Sequence, residues 1–383
     1  MLRITELRLP LDHPEPALRA AIVARLGVPD VALKSVTVFR RAVDARKRSA
    51  MVLAYTVDCD VLDEEAVLQA HTGDPHLRRA PDTSYRFVGH APVHVYATQR
   101  PRPIVVGFGP CGIFAALVLA QMGLCPIVLE RGKRVRERTK DTWALWRKGE
   151  LNPESNVQFG EGGAGTFSDG KLWSQISDPR YLTRKVLTEF VKAGAPEEIL
   201  YVAKPHIGTF RLVSMVEKMR AEIERLGGEI RFEQKLVDLR IESGRLRGVV
   251  VANSEHPREE ISAGPVVLAL GHSARDTFAM LYERGVFMEA KPFAIGLRIE
   301  HPQGVIDRAR FGPNAGHPLL GAADYKLVHH AGNGRDVYSF CMCPGGTVVA
   351  ATSEPGHVVT NGMSQYSRAE RNANAGIVVG IFP

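Results

Sequence analysis

IVVGFGPCGIFAALVLAQMGLCPIVLER, residues 104–131, holds in order an apolar strand, a glycine-rich turn, an apolar helix and a second apolar strand that ends on an acid. Gly107, Gly109 and Gly112 sit where strand passes into helix. The first permits a sharp turn, the second lets backbone approach a pyrophosphate, and the third lets helix and strand pack closely. With glycine at 36 of 383 positions, chance alone produces the bare pattern about 0.3 times in such a chain. Meaning therefore comes from the context. Glu130 lies 21 residues past Gly109, at the end of the next strand, where a carboxylate accepts hydrogen bonds from both ribose hydroxyls of an adenosine and repels a 2′-phosphate. Pro110 and Cys111 complete the turn, which requires a small residue at Cys111. Arg131 either stacks near adenine or faces water. The implied ligand is FAD or NAD rather than NADP.

Hydropathy marks Gly112 to Leu129, eighteen residues with Gln121 their only strongly polar member. Gly123 and Pro126 divide this run into a buried helix and a parallel strand, so it reads as sheet core and no membrane span is expected. A chain of 383 residues, 45% hydrophobic and 24% charged, has room for two or three folded domains. The net charge of +7 fits an anionic cofactor, an acidic partner or RNA and selects none of them. Five cysteines, an odd and sparse set, do not form a disulfide framework, and MLRITELRLPLDHPEP has no apolar leader core. A reducing, cytoplasmic setting is expected.

Upstream, the periodicity predicts strands at residues 3–9 and 35–40 around an amphipathic helix from Pro16 to Leu26, where Leu18, Ile22, Val23 and Leu26 share a face. A hairpin with arms Val36–Val43 and Met51–Asp58 follows, then a helix from Asp63 to Gln69 and a last strand near Val93–Tyr96. The order is that of a ferredoxin-like βαββαβ domain, residues 1–97. Residues 98–103, TQRPRP, read as a linker. Residues 104–286 read as a Rossmann-type α/β domain with a parallel sheet, and 287–383 as a strand-rich region.

The second half of that α/β domain, GGEIRFEQKLVDLRIESGRLRGVVV leading to PVVLALGHSARD, looks like two-dinucleotide-fold flavoproteins. That likeness implies a backbone contact to adenine near Leu236 and closure of Gly271 on the nucleotide, and it favours FAD over NAD as the occupant. VFRRAVDARKR at 38–48, VQFGEGGAGTFSDGKLW at 157–173, KPFAIGLRIEHPQ at 291–303 and FCMCPGGTVVAATSEPGHVVTNGMS at 340–364 together resemble the bacterial FAD-dependent dehydrogenase family of NAD(FAD)-utilising dehydrogenase type, over essentially the whole chain. The resemblance implies that residues 287–383 are an inserted region of substrate type and that Gly162, Gly163, Gly165 and Thr166 approach the flavin side of the cofactor. It also implies an FAD-dependent oxidoreductase acting on a small molecule, with NAD(P)H as a possible electron donor. Such proteins usually finish the site with a late glycine-rich strand and helix. Nothing after Gly346 has that pattern and the chain stops in IVVGIFP, so it reads as shortened relative to the family.

No acid or base declares itself. Lys171, Arg298 and His301 could serve an anionic substrate or a proton transfer, although a surface salt bridge or a structural hydrogen bond accounts for each of them better. His272 reads as a turn residue beside the nucleotide. Cys341 and Cys343 are too close in sequence for an easy disulfide and lack the further ligands of a zinc site, so no metal is expected. Arg40, Arg41, Arg46, Lys47 and Arg48 cluster on the hairpin and offer a contact to RNA or a protein. A solvated turn accounts for them better, because no aromatic stacking pair accompanies the charges in sequence. The alternative to an enzyme is a non-catalytic flavin-binding, or RNA- or protein-binding, product that uses this basic domain.

Overall fold

The computed structural model describes residues 1–92 and 101–383, which divide into two compact units. Unit 1 comprises Met1–Tyr85, Lys171–His206 and Pro302–Asp324. Unit 2 comprises Arg86–Gly170, Ile207–His301 and Tyr325–Pro383.

In unit 1, β1 (Leu2–Pro10), α1 (Ala17–Leu26), β2 (Leu33–Asp44), β3 (Val52–Val61), α2 (Glu64–Ala70) and β4 (Leu77–Arg79) follow one another along the chain. The strands form one sheet in the order β2-β3-β1-β4, every neighbour antiparallel. The alternation in β3 places Leu53, Tyr55, Val57, Cys59 and Val61 on the buried face. Helix α2 starts where Asp63 accepts a hydrogen bond from the Ala66 amide at 2.9 Å, with Glu64 and Glu65 in its first turn. The fourth strand of the sheet is the short Leu77–Arg79. The expected strand at Val93–Tyr96, like the first part of the expected linker, lies outside the described residues.

Segments that sequence reading keeps with the downstream regions also belong to unit 1. These are 171–206, with α5 (Leu182–Lys192), and 302–324, with α8 (Gln303–Phe311). Phe311 and Ala323 are buried in the same core as Leu2, Ile4, Ile22 and Val57. Arg184 of α5 lies over the Phe39 ring at 4.4 Å, and the buried Arg3 lies over that ring at 3.6 Å while it pairs with Asp58 at 2.7 Å.

Unit 2 is built on β5 (Ile104–Val106), α3 (Pro110–Gln121), β6 (Ile127–Leu129), α4 (Val135–Lys148), α6 (Thr209–Arg225), β7 (Glu229–Arg231) and β11 (Val266–Leu268). The four strands are parallel in the order β11-β5-β6-β7. Every residue of β5 and β6 is buried, which is why both strands are uniformly apolar. In α6, Leu212, Met215, Val216, Met219 and Ile223 make the inward stripe. An antiparallel meander of β8 (Lys235–Glu242), β9 (Arg245–Ala252) and β10 (Glu259–Ser262) separates β7 from β11, and α7 (Arg275–Glu283) follows β11. The remaining strands are β12 (Phe293–Pro302), β13 (Val328–His330), β14 (Asp336–Cys343), β15 (Gly346–Ala350), β16 (Thr360–Ser364) and β17 (Asn372–Ile381). They form a sheet in the order β12-β17-β14-β13 and the separate pair β15-β16. Among the described residues, no helix is long and apolar enough to cross a membrane.

Candidate functional site

From β5 the chain moves to β6 and β7 on one side of the sheet and returns to β11 on the other, so β5 and β11 flank a topological switch point. A cavity of about 560 Å³ lies at their carboxyl ends. One part of its lining is the turn Gly107–Cys111 at the amino end of α3, another is Gly163–Gly165, and Leu236, Leu268, Phe278 and Leu281 give it apolar surface.

The two outer glycines of the turn are required by close approach. Gly107 has φ 99°, and a side chain there would collide with the Ala269 carbonyl. A Cβ on Gly112 would run into the Gly107 carbonyl, so the helix could no longer lie against the strand. Gly112 therefore packs the turn and is not among the residues lining the cavity, whereas Gly107, Gly109, Pro110 and Cys111 are.

Glu130 is 4% exposed and accepts three backbone hydrogen bonds. Phe108 donates at 2.8 Å to one oxygen, and Gly132 and Gly160 each donate at 2.9 Å to the other. One carboxylate thus anchors the turn after β5, the turn after β6 and the start of the glycine-rich loop. The oxygen facing Phe108 keeps acceptor capacity.

Arg131 lines the cavity and does not face water, its side chain being 13% exposed. Its guanidinium lies over the Phe159 ring at 4.0 Å and pairs with Glu154 at 2.7 Å and Asp276 at 3.0 Å. Lys235 reaches the same two carboxylates, at 2.9 Å and 2.7 Å. Burial alone would raise the Asp276 carboxyl, but hydrogen bonds from Arg131 and Lys235 outweigh it and hold that group well below the usual carboxylate range.

The glycine-rich loop is wound around a side chain that sequence reading did not single out. Arg138 of α4 is wholly buried, and its guanidinium donates to the carbonyls of Asn156 (2.7 Å), Val157 (2.6 Å), Glu161 (2.7 Å) and Gly163 (2.8 Å), with a longer contact to Gly160 at 3.4 Å. Burial draws it down to about 10, against the opposing pull of Glu130 and Glu161. Nearby, the buried Glu161 accepts from the Val135 amide at 2.7 Å and is pushed up by burial. Its other oxygen lies 2.9 Å from Arg220 Nε, close enough to pair but poorly aligned for a hydrogen bond.

Gly163, Gly165, Leu236 and Gly271 line the cavity together with Glu130 and Arg131. Gly162 and Thr166 do not: the Gly162 amide donates to the Phe108 carbonyl at 2.8 Å, and the Thr166 carbonyl accepts from Thr209 Oγ1 at 2.6 Å. Gln158, Phe159, Gln234, Lys235 and Thr277 line the cavity without having been foreseen. Gln158 and Phe159 stand inside the VQFGEGG stretch and Gln234 and Lys235 directly precede Leu236, so both pairs adjoin residues that the sequence does single out. His272, read as a turn residue beside the nucleotide, lines it too.

The other candidates lie elsewhere. Lys171 belongs to unit 1 and bridges to His206. Arg298 donates to Asn374 at 2.6 Å, and His301 Nε2 lies 2.8 Å from the Tyr325 hydroxyl. Cys341 and Cys343 are unbridged, and the Cys343 thiol donates to the Cys341 carbonyl at 3.3 Å. No metal-ligand cluster occurs among the described residues. On the basic hairpin, Arg46 pairs with Asp44 at 2.8 Å, and Arg41 lies 5.2 Å from the ring of Tyr201, an aromatic partner far away in sequence.

Fold and cavity define an α/β protein with a concave site at the carboxyl ends of parallel strands. Residues 292–383 match the family model described as FAD-dependent protein, C-terminal domain-like, and residues 1–60 match a domain of unknown function, DUF8436. The chain is 44% identical to an uncharacterized protein of Clostridium beijerinckii over 384 residues, covering all of this chain and 70% of that protein, and it belongs to that protein's family. Among solved structures, glycine oxidase from Bacillus cereus aligns at 12% identity and TM-score 0.37 (73% of this chain, 71% of that one). THI4 of Thermovibrio ammonificans aligns at 18% and 0.32 (49% and 64%). Glycerol-3-phosphate dehydrogenase from Bacillus halodurans, complexed with FAD, aligns at 12% and 0.35 (74% and 48%). This chain thus spans less than two thirds of the last two, and TM-scores this low leave the chemistry to be read from its own residues.

Proposed function

We propose that the chain is an FAD-dependent oxidoreductase whose nucleotide sits in the cavity of unit 2, with unit 1 as a ferredoxin-like companion to a Rossmann-type fold. The observation that carries this reading is the convergence on one cavity of the α3 amino end, the Gly163–Gly165 backbone and the buried carboxylate of Glu130. The residues present fit such a group. A twelve-residue helix presents its first amides, and its partial positive charge, to a pyrophosphate. Backbone without side chains at Gly107, Gly109 and Gly163 allows close approach. Glu130 would receive ribose hydroxyls, and Leu236, Phe278 and Leu281 offer apolar surface to adenine. The family description matched by residues 292–383 points the same way.

Bound flavin would supply the two-electron chemistry. The chain's own contribution is to bind and orient: α3 holds the anionic linker, Glu130 selects an unphosphorylated ribose, and Arg131 and Lys235, tied to Glu154 and Asp276, offer no free cation to a 2′-phosphate. The test is the visible spectrum of the purified chain before and after added FAD, and then after NADH or NADPH. We expect a resolved flavin spectrum that one nicotinamide bleaches. Absence of bound flavin at saturating FAD would end this reading.

A further inference from the structure

We infer that Arg138 is the positioning residue of the site: by collecting the carbonyls of the 156–163 loop it fixes the loop's path and turns the Ala164 amide at its end toward the cavity. The inference rests on the proposed function only for the identity of the ligand so presented.

Arg138 is a helix residue with no exposure, and its guanidinium is spent wholly on backbone oxygens: Asn156, Val157, Glu161 and Gly163 within 2.8 Å, and Gly160 at 3.4 Å. Five donors in a rigid planar fork fit such a set, and lysine's three do not. In a trans peptide the carbonyl and the next N–H point in opposite directions. The Gly163 carbonyl, drawn to Arg138 Nη2 at 2.8 Å, therefore turns the Ala164 N–H the other way, and Ala164 lines the cavity. The loop's glycines are required by close approach, Gly160 to this same side chain and Gly163 to the turn. A Cβ on Gly160 would strike Arg138 Cδ, and one on Gly163 would come within 2.8 Å of Gly109 Cα in the opposing turn. Glu130 completes the arrangement from the other polarity by accepting the Gly160 amide at 2.9 Å. The loop is thus pinned through carbonyls by a buried cation and through an amide by a buried anion, and with the Gly163 amide turned back onto the Gly160 carbonyl at 2.9 Å it is the Ala164 and Gly165 amides that present donors to an anionic or electron-rich ligand.

The test uses the full chain with Arg138→Met and Arg138→Lys, read in two ways. Hydrogen exchange of the ligand-free protein should be at least ten-fold faster in peptides covering residues 157–165 of Arg138→Met, with peptides from β1 to β4 unchanged. FAD affinity, titrated by visible spectrum at a temperature where both proteins are folded, should fall at least ten-fold, with Arg138→Lys intermediate in both readings. If Arg138→Met does not fold, Arg138→Lys is read in the same two ways. Unchanged exchange in 157–165, or exchange accelerated equally through both units, would overturn the assignment. So would a loosened loop that binds FAD as tightly as the wild type. If the wild type itself takes no flavin, the proposed function falls while the exchange result still decides what Arg138 does.

Discussion

Two glycine-rich segments meet at the wall of the cavity, and they are ordered by different means. The Gly107–Gly112 turn is dictated by its own composition: remove side chains between an apolar strand and an apolar helix, and the chain can turn only as it does. The 156–165 loop has four glycines to the turn's three and meets regular structure only at its end, where a 3-10 turn begins at Ala164. Its shape comes from Arg138 and Glu130, which lie outside it in sequence. The first segment carries its instruction locally, and the second receives it from elsewhere.

Substitutions can break or sharpen that contrast. The largest effect is expected for Gly112→Val, since the added Cβ meets the Gly107 carbonyl in a turn that cannot yield. Destabilisation of about 3 kcal/mol or more is expected in urea unfolding, with loss of soluble yield. Glu130→Ala should cost about 2 kcal/mol in the same measurement, because three backbone donors lose a charged acceptor. Asp276→Asn should cost under about 1 kcal/mol, since the pairs it breaks are partly exposed. Its pH dependence has a fixed sign. A carboxyl depressed in the folded state stabilises above its unfolded value near 3.9 and loses that stabilisation as pH falls toward the folded one. The melting-temperature gap between wild type and Asp276→Asn should therefore be full near neutrality and close below about pH 4. Gly165→Ala should be the mildest, within about 0.5 kcal/mol, because its Cβ would meet only Pro110 Cγ at an ordinary 3.6 Å. A large loss there would show that this loop is as tightly packed as the turn opposite.

The same division explains what the sequence made legible. The β5-turn-α3-β6 unit and the acid at Glu130 follow from hydrophobic period and glycine placement, which act over a few residues. Arg138 was not visible, because VRERTKD has the composition of a solvated helix face and only the distant loop makes the arginine a core residue. The ion pairs of Arg131 were hidden for a related reason: Glu154 and Asp276, which hold it, lie 23 and 145 positions away. The short β4 escaped notice because Leu-Arg-Arg has no strand pattern and takes its place from pairing with β1. The membership of 171–206 and 302–324 in unit 1 is likewise a property of contacts made far along the chain.

That last feature has a consequence for synthesis. Leu2 and Ile4 share a core with Phe311 and Ala323, so the earliest strand waits for residues made some three hundred positions later. At ribosomal speeds of roughly 5–20 residues per second, the interval between completing the first four strands and delivering Phe311 is on the order of 10 to 50 seconds. Throughout that interval the nascent sheet keeps part of an apolar face uncovered. Its yield in a cell is therefore governed by what shields that face during translation, and by how slowly long-range contacts close, as much as by the stability of the finished molecule.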